Sequence, residues 1–276
     1  LATFQVVSCS NEVAAQAVAD PRMTILTFTG SGPVGWALQR AATGKKVTLE
    51  LGGNAAVIIH DDADLTRAVS RCVAGGFGYA GQSCISVQRI LVHQNIAAEF
   101  EKRIVAETGK LKCGDPREKS VTVGPVIDQR AADRLESWIQ DAISQGAQCL
   151  IGGGRTKNLI QPTILKGMKH KSSIYCEEAF GPVVLLETYD QFSAAIQTVN
   201  DSQYGLQAGV FTSDERRIRQ AIEELEVGAV LINEVPTYRA DQQPYGGMKG
   251  SGLGREGVRY TMQEFSETKT VMRFKA

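Results

Sequence analysis

The sequence predicts an α/β fold of parallel sheets with helices on both faces, and two observations carry this. Strand-like and helix-like segments alternate from end to end of the 276 residues. Several strand-like segments are apolar at every position, as in PVVLL at 182–186 and GAVLI at 228–232. A sheet with one wet face would alternate apolar and polar residues, so continuous apolar strands imply cover on both sides. Taken in order, short apolar runs predict strands at 4–8 and 25–28 with a helix at 12–19 between them, and a helix at 34–42 follows. The runs 47–51 and 55–59 read as strands broken by Gly52-Gly53. A helix at 65–77 comes next, with Asp64 as its N-cap because a carboxylate there can accept from the free N–H groups of the first turn. A strand at 89–92 and helices at 97–111 and 130–144 lead to Gly152-Gly153-Gly154, which lacks a following Gly-Lys-Ser/Thr and reads as a surface turn before a strand near Ile160. Strands at 183–188, 208–212 and 229–232 then enclose helices at 192–200 and 215–225.

The length is near twice the usual domain size of roughly 150 residues, so two domains are expected. The most natural break is Gly52-Gly53. It gives a partial nucleotide-type unit at 1–52, a second α/β unit at 53–248 and a C-terminal segment at 249–276.

Thirty basic residues balance thirty acidic ones. The chain thus has no electrostatic footprint for nucleic acid or an anionic membrane, and a small molecule is the expected partner. No apolar run approaches the ~18 residues of a membrane span. Six cysteines, Cys9, Cys72, Cys84, Cys113, Cys149 and Cys176, occur without a C-x-x-C, which argues against zinc fingers and disulfide frameworks and for a reducing cytoplasm. The N-terminus carries neither a signal-like segment nor a methionine, so the chain is expected to begin inside a domain. The aspartates 61, 62 and 64 lack the glycine and distal glutamate of a calcium loop. His60, His93 and His170 show no ligand spacing in sequence and read as structural or exposed. No metal site is predicted.

Gly30-Ser31-Gly32-Pro33-Val34-Gly35 matches the G-x-G-x-x-G dinucleotide fingerprint, between a predicted strand and helix, and Glu50 follows where that motif places a ribose-binding acid. Two features oppose this reading. Other elements precede the motif, and Glu50 runs straight into Leu51-Gly52-Gly53, where one strand breaks off.

Three further boxes bear on the choice: Glu50-Leu51-Gly52-Gly53, Gly81-Gln82-Ser83-Cys84 and Glu177-Glu178-Ala179-Phe180-Gly181-Pro182. The sequence closes on Pro244-Tyr245-Gly246-Gly247-Met248-Lys249-Gly250-Ser251-Gly252. In this order they resemble the aldehyde dehydrogenase superfamily, over about residues 4–273. The resemblance implies a partial Rossmann-type cofactor domain joined to an α/β catalytic domain, with NAD or NADP as cofactor.

The chemistry explains why such a protein needs a thiol and a carboxylate. Oxidising an aldehyde by hydride transfer requires a tetrahedral carbon, which a cysteine supplies as a thiohemiacetal. The resulting thioester must be hydrolysed by water that a carboxylate deprotonates. The resemblance assigns Cys84 and Glu50 to these roles. It also implies that Phe28, Thr29, Gly30, Ser31, Val34, Leu51 and Gly52 lie along the cofactor, with its pyrophosphate near a helix start. Glu178 would hold the nicotinamide ribose and Phe180 would pack near the ring. The plain alternatives are a charged turn and a core aromatic. Arg239 and Tyr245 fall at the aldehyde entrance, where Arg239 could pair with an anionic group on the substrate or could be a solvated loop arginine. The other cysteines read as small buried hydrophobes.

In the superfamily, an asparagine side chain upstream of residue 25 completes the oxyanion site, and the adenine-ribose segment is upstream too. No candidate for either occurs here. The chain is therefore expected to be a C-terminal portion that is inactive alone and binds NAD(P) weakly. It should also associate as a homo-oligomer, through an unpaired sheet edge and a C-terminal strand at 268–273. Two other readings stay open: a conventional hydride-transfer dehydrogenase using Gly30 to Gly35, and a non-catalytic remnant that binds nucleotide or a partner chain.

Overall fold

The computed structural model describes residues 4–275. The chain runs α1 (Asn11–Ala19), β1 (Ile25–Thr29), α2 (Gly32–Ala41), β2 (Lys46–Glu50), β3 (Ala56–Ile59), α3 (Leu65–Phe77), β4 (Arg89–His93), α4 (Ala97–Thr108) and α5 (Gln129–Ser144). The short strands β5 (Gln148–Ile151), β6 (Arg155–Thr156), β7 (Leu159–Ile160) and β8 (Thr163–Lys166) follow, then α6 (Ser173–Cys176), β9 (Val183–Tyr189) and α7 (Phe192–Asn200). The chain continues as β10 (Tyr204–Gly205), β11 (Gln207–Phe211), α8 (Glu215–Glu224), β12 (Ala229–Ile232), β13 (Met248–Lys249), β14 (Gly252–Leu253) and α9 (Val258–Glu264). Among the described residues, no helix is long and apolar enough to cross a membrane.

A seven-stranded sheet in the order β12-β11-β3-β4-β9-β8-β5 forms the centre. Its strands are parallel except β5, which runs antiparallel to β8 at one edge. Alternation along β3 feeds two cores: Val57 and Ile59 pack against α3 and α4, and Ala56 and Ile58 against α7 and α8. Continuous apolar strands thus have the cover on both faces that their composition requires. A third core joins α5 and α6 to β8 and β9. Asp64 caps α3, its side chain accepting from the Arg67 N–H at 3.0 Å. Arg89, only 1% exposed, donates to the carbonyls of Thr198 (3.0 Å) and Val199 (3.2 Å), where the carbonyl end of α7 offers partial negative charge.

A smaller sheet, β1-β2-β14, carries the N-terminal unit. β1 and β2 are parallel across α2, and β14 adds antiparallel to β2 from the far end of the chain. The expected strand at 4–8 is absent, and the run at 268–273 is expected to pair only with a neighbouring subunit. Residues 4–8 are exposed and unpaired, and residues 268–273 likewise form no strand in the single chain. A strand exists only through the partner that takes its N–H and C=O groups, and neither segment has one among the described residues. The N-terminal unit therefore supplies two strands rather than three.

The histidines are structural or exposed as expected, but two of them are neighbours in space. His60 follows β3 and His93 ends its neighbour β4, so sheet register brings together two residues that sequence spacing keeps apart. Both are buried, and their ring centroids lie 4.7 Å from each other. His170 is exposed and paired with Glu187 at 2.9 Å.

Candidate active site

Glu50 and Cys84 reach one cleft from different sheets. β2 ends at Glu50, and Leu51 to Asn54 carry the chain from the small sheet to β3. Cys84 sits on the connection from α3 to β4. After Phe77 that connection turns through left-handed Tyr79 (φ 52°) and Ala80 (φ 55°) and then Gly81 (φ 67°). A Cβ on Gly81 would stand 2.0 Å from the Gly181 carbonyl oxygen, so only glycine passes there. Left-handed backbone at Tyr79 and Ala80 stores strain of the kind that accumulates at functional turns. Gln82 anchors the turn, its side-chain carbonyl accepting from the Ile127 N–H at 2.7 Å. Gly53 lets the Cys84 backbone come close, since a Cβ on Gly53 would lie 2.6 Å from the Cys84 carbonyl oxygen.

The cleft has a volume of about 690 Å³. Besides Glu50 and Cys84 it is lined by Thr29, Gly30, Ser31, Leu51, Gly52, Glu178 and Phe180, all predicted from sequence. Phe28, Val34, Arg239 and Tyr245 do not line it. Phe28 instead supports Gly30, where a Cβ would meet its ring at 2.5 Å. Val34 lies half exposed on α2. A second cavity of about 760 Å³ runs along α9 and contains neither a thiol nor a buried carboxylate.

Glu50 is 4% exposed, and neither carboxylate oxygen has a hydrogen-bond partner among the described residues. Burial, reinforced by repulsion from Glu256, pushes its pKa up to about 8, against the attraction of Arg255 and Arg239. A carboxyl raised so far is suited to exchanging protons near neutrality. Burial also pushes the Cys84 thiol up. A hydrogen bond with the Tyr245 hydroxyl, 3.1 Å from Sγ, opposes this, while Glu178 and Glu50 add to the rise. At neutral pH the resting thiol is therefore protonated, and a positive charge entering the cleft would favour the thiolate.

Tyr245 is buried behind the thiol, and the Arg239 guanidinium lies 4.0 Å over its ring. Arg239 also pairs with Glu256 at 3.4 Å, so it is held in place rather than free in a loop. Its side chain is still 45% exposed.

Glu178 is partly buried and accepts from the Gly53 N–H at 3.0 Å. Burial raises its pKa, and Gly53 and Arg134 oppose the rise. Gly52 leaves room for this carboxylate, since a Cβ there would sit 2.4 Å from Oε2. Phe180 adopts φ 45°, a strained conformation for an aromatic residue, and leaves 39% of its surface open beside the cleft.

Sequence reasoning missed Arg134. It donates to the carbonyls of Glu178 (3.3 Å) and Ala179 (2.7 Å), lies 4.5 Å over the Trp138 ring and lines the cleft. A single arginine inside an amphipathic helix gives no signal of this.

At the other wall, Ser31 precedes α2 without using its hydroxyl as a cap. Free first-turn N–H groups of this kind, with the helix dipole, favour an anion. The spacing of Gly30 to Gly35 also has a structural use. Gly35 lets α2 pack on the strand end, since a Cβ there would meet Leu51 Cδ2 at 2.3 Å. Glu50 nevertheless opens onto the cleft that contains Cys84.

Comparison with known proteins agrees with this geometry. Residues 2–271 match the model of the aldehyde dehydrogenase family. The chain is 42% identical over 250 residues to a 3-sulfolactaldehyde dehydrogenase of Priestia aryabhattai, covering 91% of this chain and 52% of that relative. It superimposes with a TM-score of 0.93 on aldehyde dehydrogenase 21 from Physcomitrella patens in complex with the reaction product succinate, at 44% identity, covering 96% of this chain and 55% of that one. The glyceraldehyde-3-phosphate dehydrogenase GapN of Methanocaldococcus jannaschii, complexed with NADP, gives a TM-score of 0.91 at 39% identity, covering 94% and 56%. The chain spans about half the length of the relatives it matches. With a family model matched over nearly all its residues, the chain belongs to the aldehyde dehydrogenase family.

Proposed function

We propose that this protein oxidises an aldehyde carrying an anionic group to the carboxylic acid, with NAD or NADP as acceptor, Cys84 as nucleophile and Glu50 as general base. The observation that carries the reading is the shared cleft: a hydrogen-bonded thiol and a buried carboxyl with no partner for either oxygen. Leaving a buried carboxyl without partners costs stability, and such groups concentrate at functional sites.

The residues present fit a nicotinamide dinucleotide. The start of α2 suits a pyrophosphate, Glu178 offers a carboxylate for ribose hydroxyls, and Phe180 presents an open ring. When bound, the oxidised cofactor supplies a two-electron acceptor and a positive charge beside the thiol. Cys84 Sγ, held by the Tyr245 hydroxyl, attacks the aldehyde carbon and gives a thiohemiacetal, which becomes a thioester on oxidation. Glu50 then takes a proton from the water that attacks the thioester, and Cys84 leaves as the thiolate.

Arg239 supports the anionic preference, being fixed over Tyr245 with its guanidinium partly open. The names of the three relatives agree: they act on or contain a sulfonated aldehyde, a phosphorylated aldehyde and a dicarboxylate. Association into a homo-oligomer is supported by exposed apolar residues at the C-terminal end, among them Val258, Met262, Val271, Met272 and Phe274. Free thiols at all six cysteines fit a reducing compartment such as the cytoplasm.

The test is a panel of charged and neutral aldehydes with each cofactor, on wild type and Arg239→Ala. Wild type should prefer anionic aldehydes, and Arg239→Ala should reduce that preference about tenfold, the value of roughly 1.4 kcal/mol of charge-assisted contact. An unchanged preference would remove Arg239 from the substrate site.

A further inference from the structure

β3, β4 and β9 are parallel neighbours whose N-terminal ends face the cleft with Cys84, and their C-terminal ends bring another cluster together on the opposite edge of the sheet. His60 follows β3, His93 ends β4, and Tyr189 ends β9 in register with His93. His60 and His93 are 3% and 7% exposed. The proposed reaction uses none of these residues.

The outer ring nitrogens are already engaged. His93 Nε2 lies 3.1 Å from the Asp190 carbonyl oxygen, which can only accept, so the His93 proton sits on Nε2 and its Nδ1 is a lone pair. His60 Nδ1 lies 2.9 Å from the Tyr189 hydroxyl, which is itself 3.3 Å from the Ile59 carbonyl oxygen. With the hydroxyl proton on that carbonyl, the hydroxyl oxygen accepts from His60 Nδ1–H, and His60 Nε2 becomes the second lone pair. Hydrogen bonding of the outer nitrogen to a carbonyl or hydroxyl is the arrangement that orients metal-ligating histidines.

The inner nitrogens converge on Asp61. His60 Nε2 lies 3.2 Å from Asp61 Oδ1, and His93 Nδ1 lies 3.6 Å from Oδ2. One ligand atom from each of the three residues falls within 4.8 Å of the others, the one such group among the described residues. Ligands about 2.0–2.1 Å from a tetrahedral ion stand about 3.4 Å apart, and each imidazole nitrogen already lies near that distance from one of the two Asp61 oxygens.

We propose that His60, His93 and Asp61 form a binding site for a divalent first-row transition ion of the zinc class, with water completing the coordination on the solvent side of Asp61. Asp61 is the open member, with 37% of its side chain exposed, and rotating it closes the set. The ion displaces two weak contacts, Asn95 N–H to His93 Nδ1 at 3.3 Å and the Asn95 amide to Asp61 Oδ2 at 3.2 Å. The Arg217 guanidinium lies near His60. It opposes a cation, but it is paired with Asp214 at 2.5 Å. The neighbouring Asp62 is taken up by Thr212 and Ser213. A bound ion would tie the ends of β3 and β4 and, through Tyr189, that of β9.

Titrating the reduced chain with cobalt(II) tests this, read by visible d–d absorption. One equivalent should bind with the spectrum of nitrogen and oxygen ligands and no thiolate charge-transfer band. The affinity should fall at least tenfold in His93→Gln and in Asp61→Asn, and about 10- to 100-fold in Tyr189→Phe, which removes only the outer partner of His60. Far-UV circular dichroism on each variant separates lost binding from lost folding. A folded wild type without a saturable band, a thiolate band, or an affinity in both ligand variants equal to that of wild type would overturn the proposal.

Discussion

Replacing Glu50 with glutamine should change the pH dependence of stability in a direction that the burial of this carboxyl fixes. Glu50 has no hydrogen-bond partner for either oxygen, and its pKa is raised from the ordinary 4.5 to about 8. Below pH 4.5 the folded and unfolded chains are both protonated at this residue, and its full contribution to stability is present. Between 4.5 and about 8 the unfolded chain ionises while the native chain keeps its proton, so rising pH progressively removes that stability. At about 1.36 kcal/mol per pH unit the loss reaches a ceiling of about 5 kcal/mol by pH 8. Glutamine is neutral throughout and escapes it. At roughly 2 °C per kcal/mol for a chain of this size, the melting temperature of Glu50→Gln relative to wild type should rise by up to about 8 °C between pH 5 and pH 8. Scanning calorimetry at half-unit pH steps measures the gap. A gap constant across that range would show that Glu50 ionises as an ordinary surface carboxylate, and the argument from desolvation would fail.

Two other perturbations act on the same cleft. Tyr245→Phe removes the hydrogen bond that opposes the raised Cys84 pKa, and a bond to a charged group is worth about 1.5–3 kcal/mol. The midpoint of the pH dependence of Cys84 alkylation should therefore move up by about 1–2 pH units; an unmoved midpoint would remove Tyr245 from control of the thiol. Gly52→Ala places a Cβ 2.4 Å from Glu178 Oε2 and should drive that carboxylate off the Gly53 N–H, at about 1–3 kcal/mol of stability. NAD(P) titration by fluorescence should show affinity falling about tenfold or more, and normal binding would mean that Glu178 does not hold the cofactor.

Most of the fold was legible because its signals are local. Apolar runs with no alternation could be satisfied only by strands covered on both faces, and Ala56 to Ile59 feed two cores as that demands. Asp64 was readable as a cap because capping involves only the next few residues. The misread elements depend on partners far away in sequence. Residues 4–8 have strand composition but no neighbouring strand, whereas Gly252–Leu253, two residues with no strand signal, pair with β2 because the chain returns there. The cleft was legible through its boxes, since Gly81 and Gly53 mark close backbone approaches that only glycine permits. Arg134, the support of Tyr245 by Arg239, and the convergence of His60 with His93 were not. Each depends on register or helix placement, which sequence spacing does not encode.

The division of labour between Cys84 and Glu50 is tested most directly by acylating the protein with an activated ester, such as a nitrophenyl ester, in place of an aldehyde. The thiolate attacks the ester carbonyl and expels nitrophenolate, forming the thioester without any oxidation step, and only hydrolysis remains. Wild type should release nitrophenolate continuously. Glu50→Gln should release one equivalent and then hold the acyl group on Cys84, with hydrolysis slowed about 100- to 10,000-fold, as intact mass and peptide mapping would show. An acyl group found on another residue would contradict the assignment of Cys84, and a Cys84 thioester hydrolysed equally fast without the Glu50 carboxylate would contradict that of Glu50.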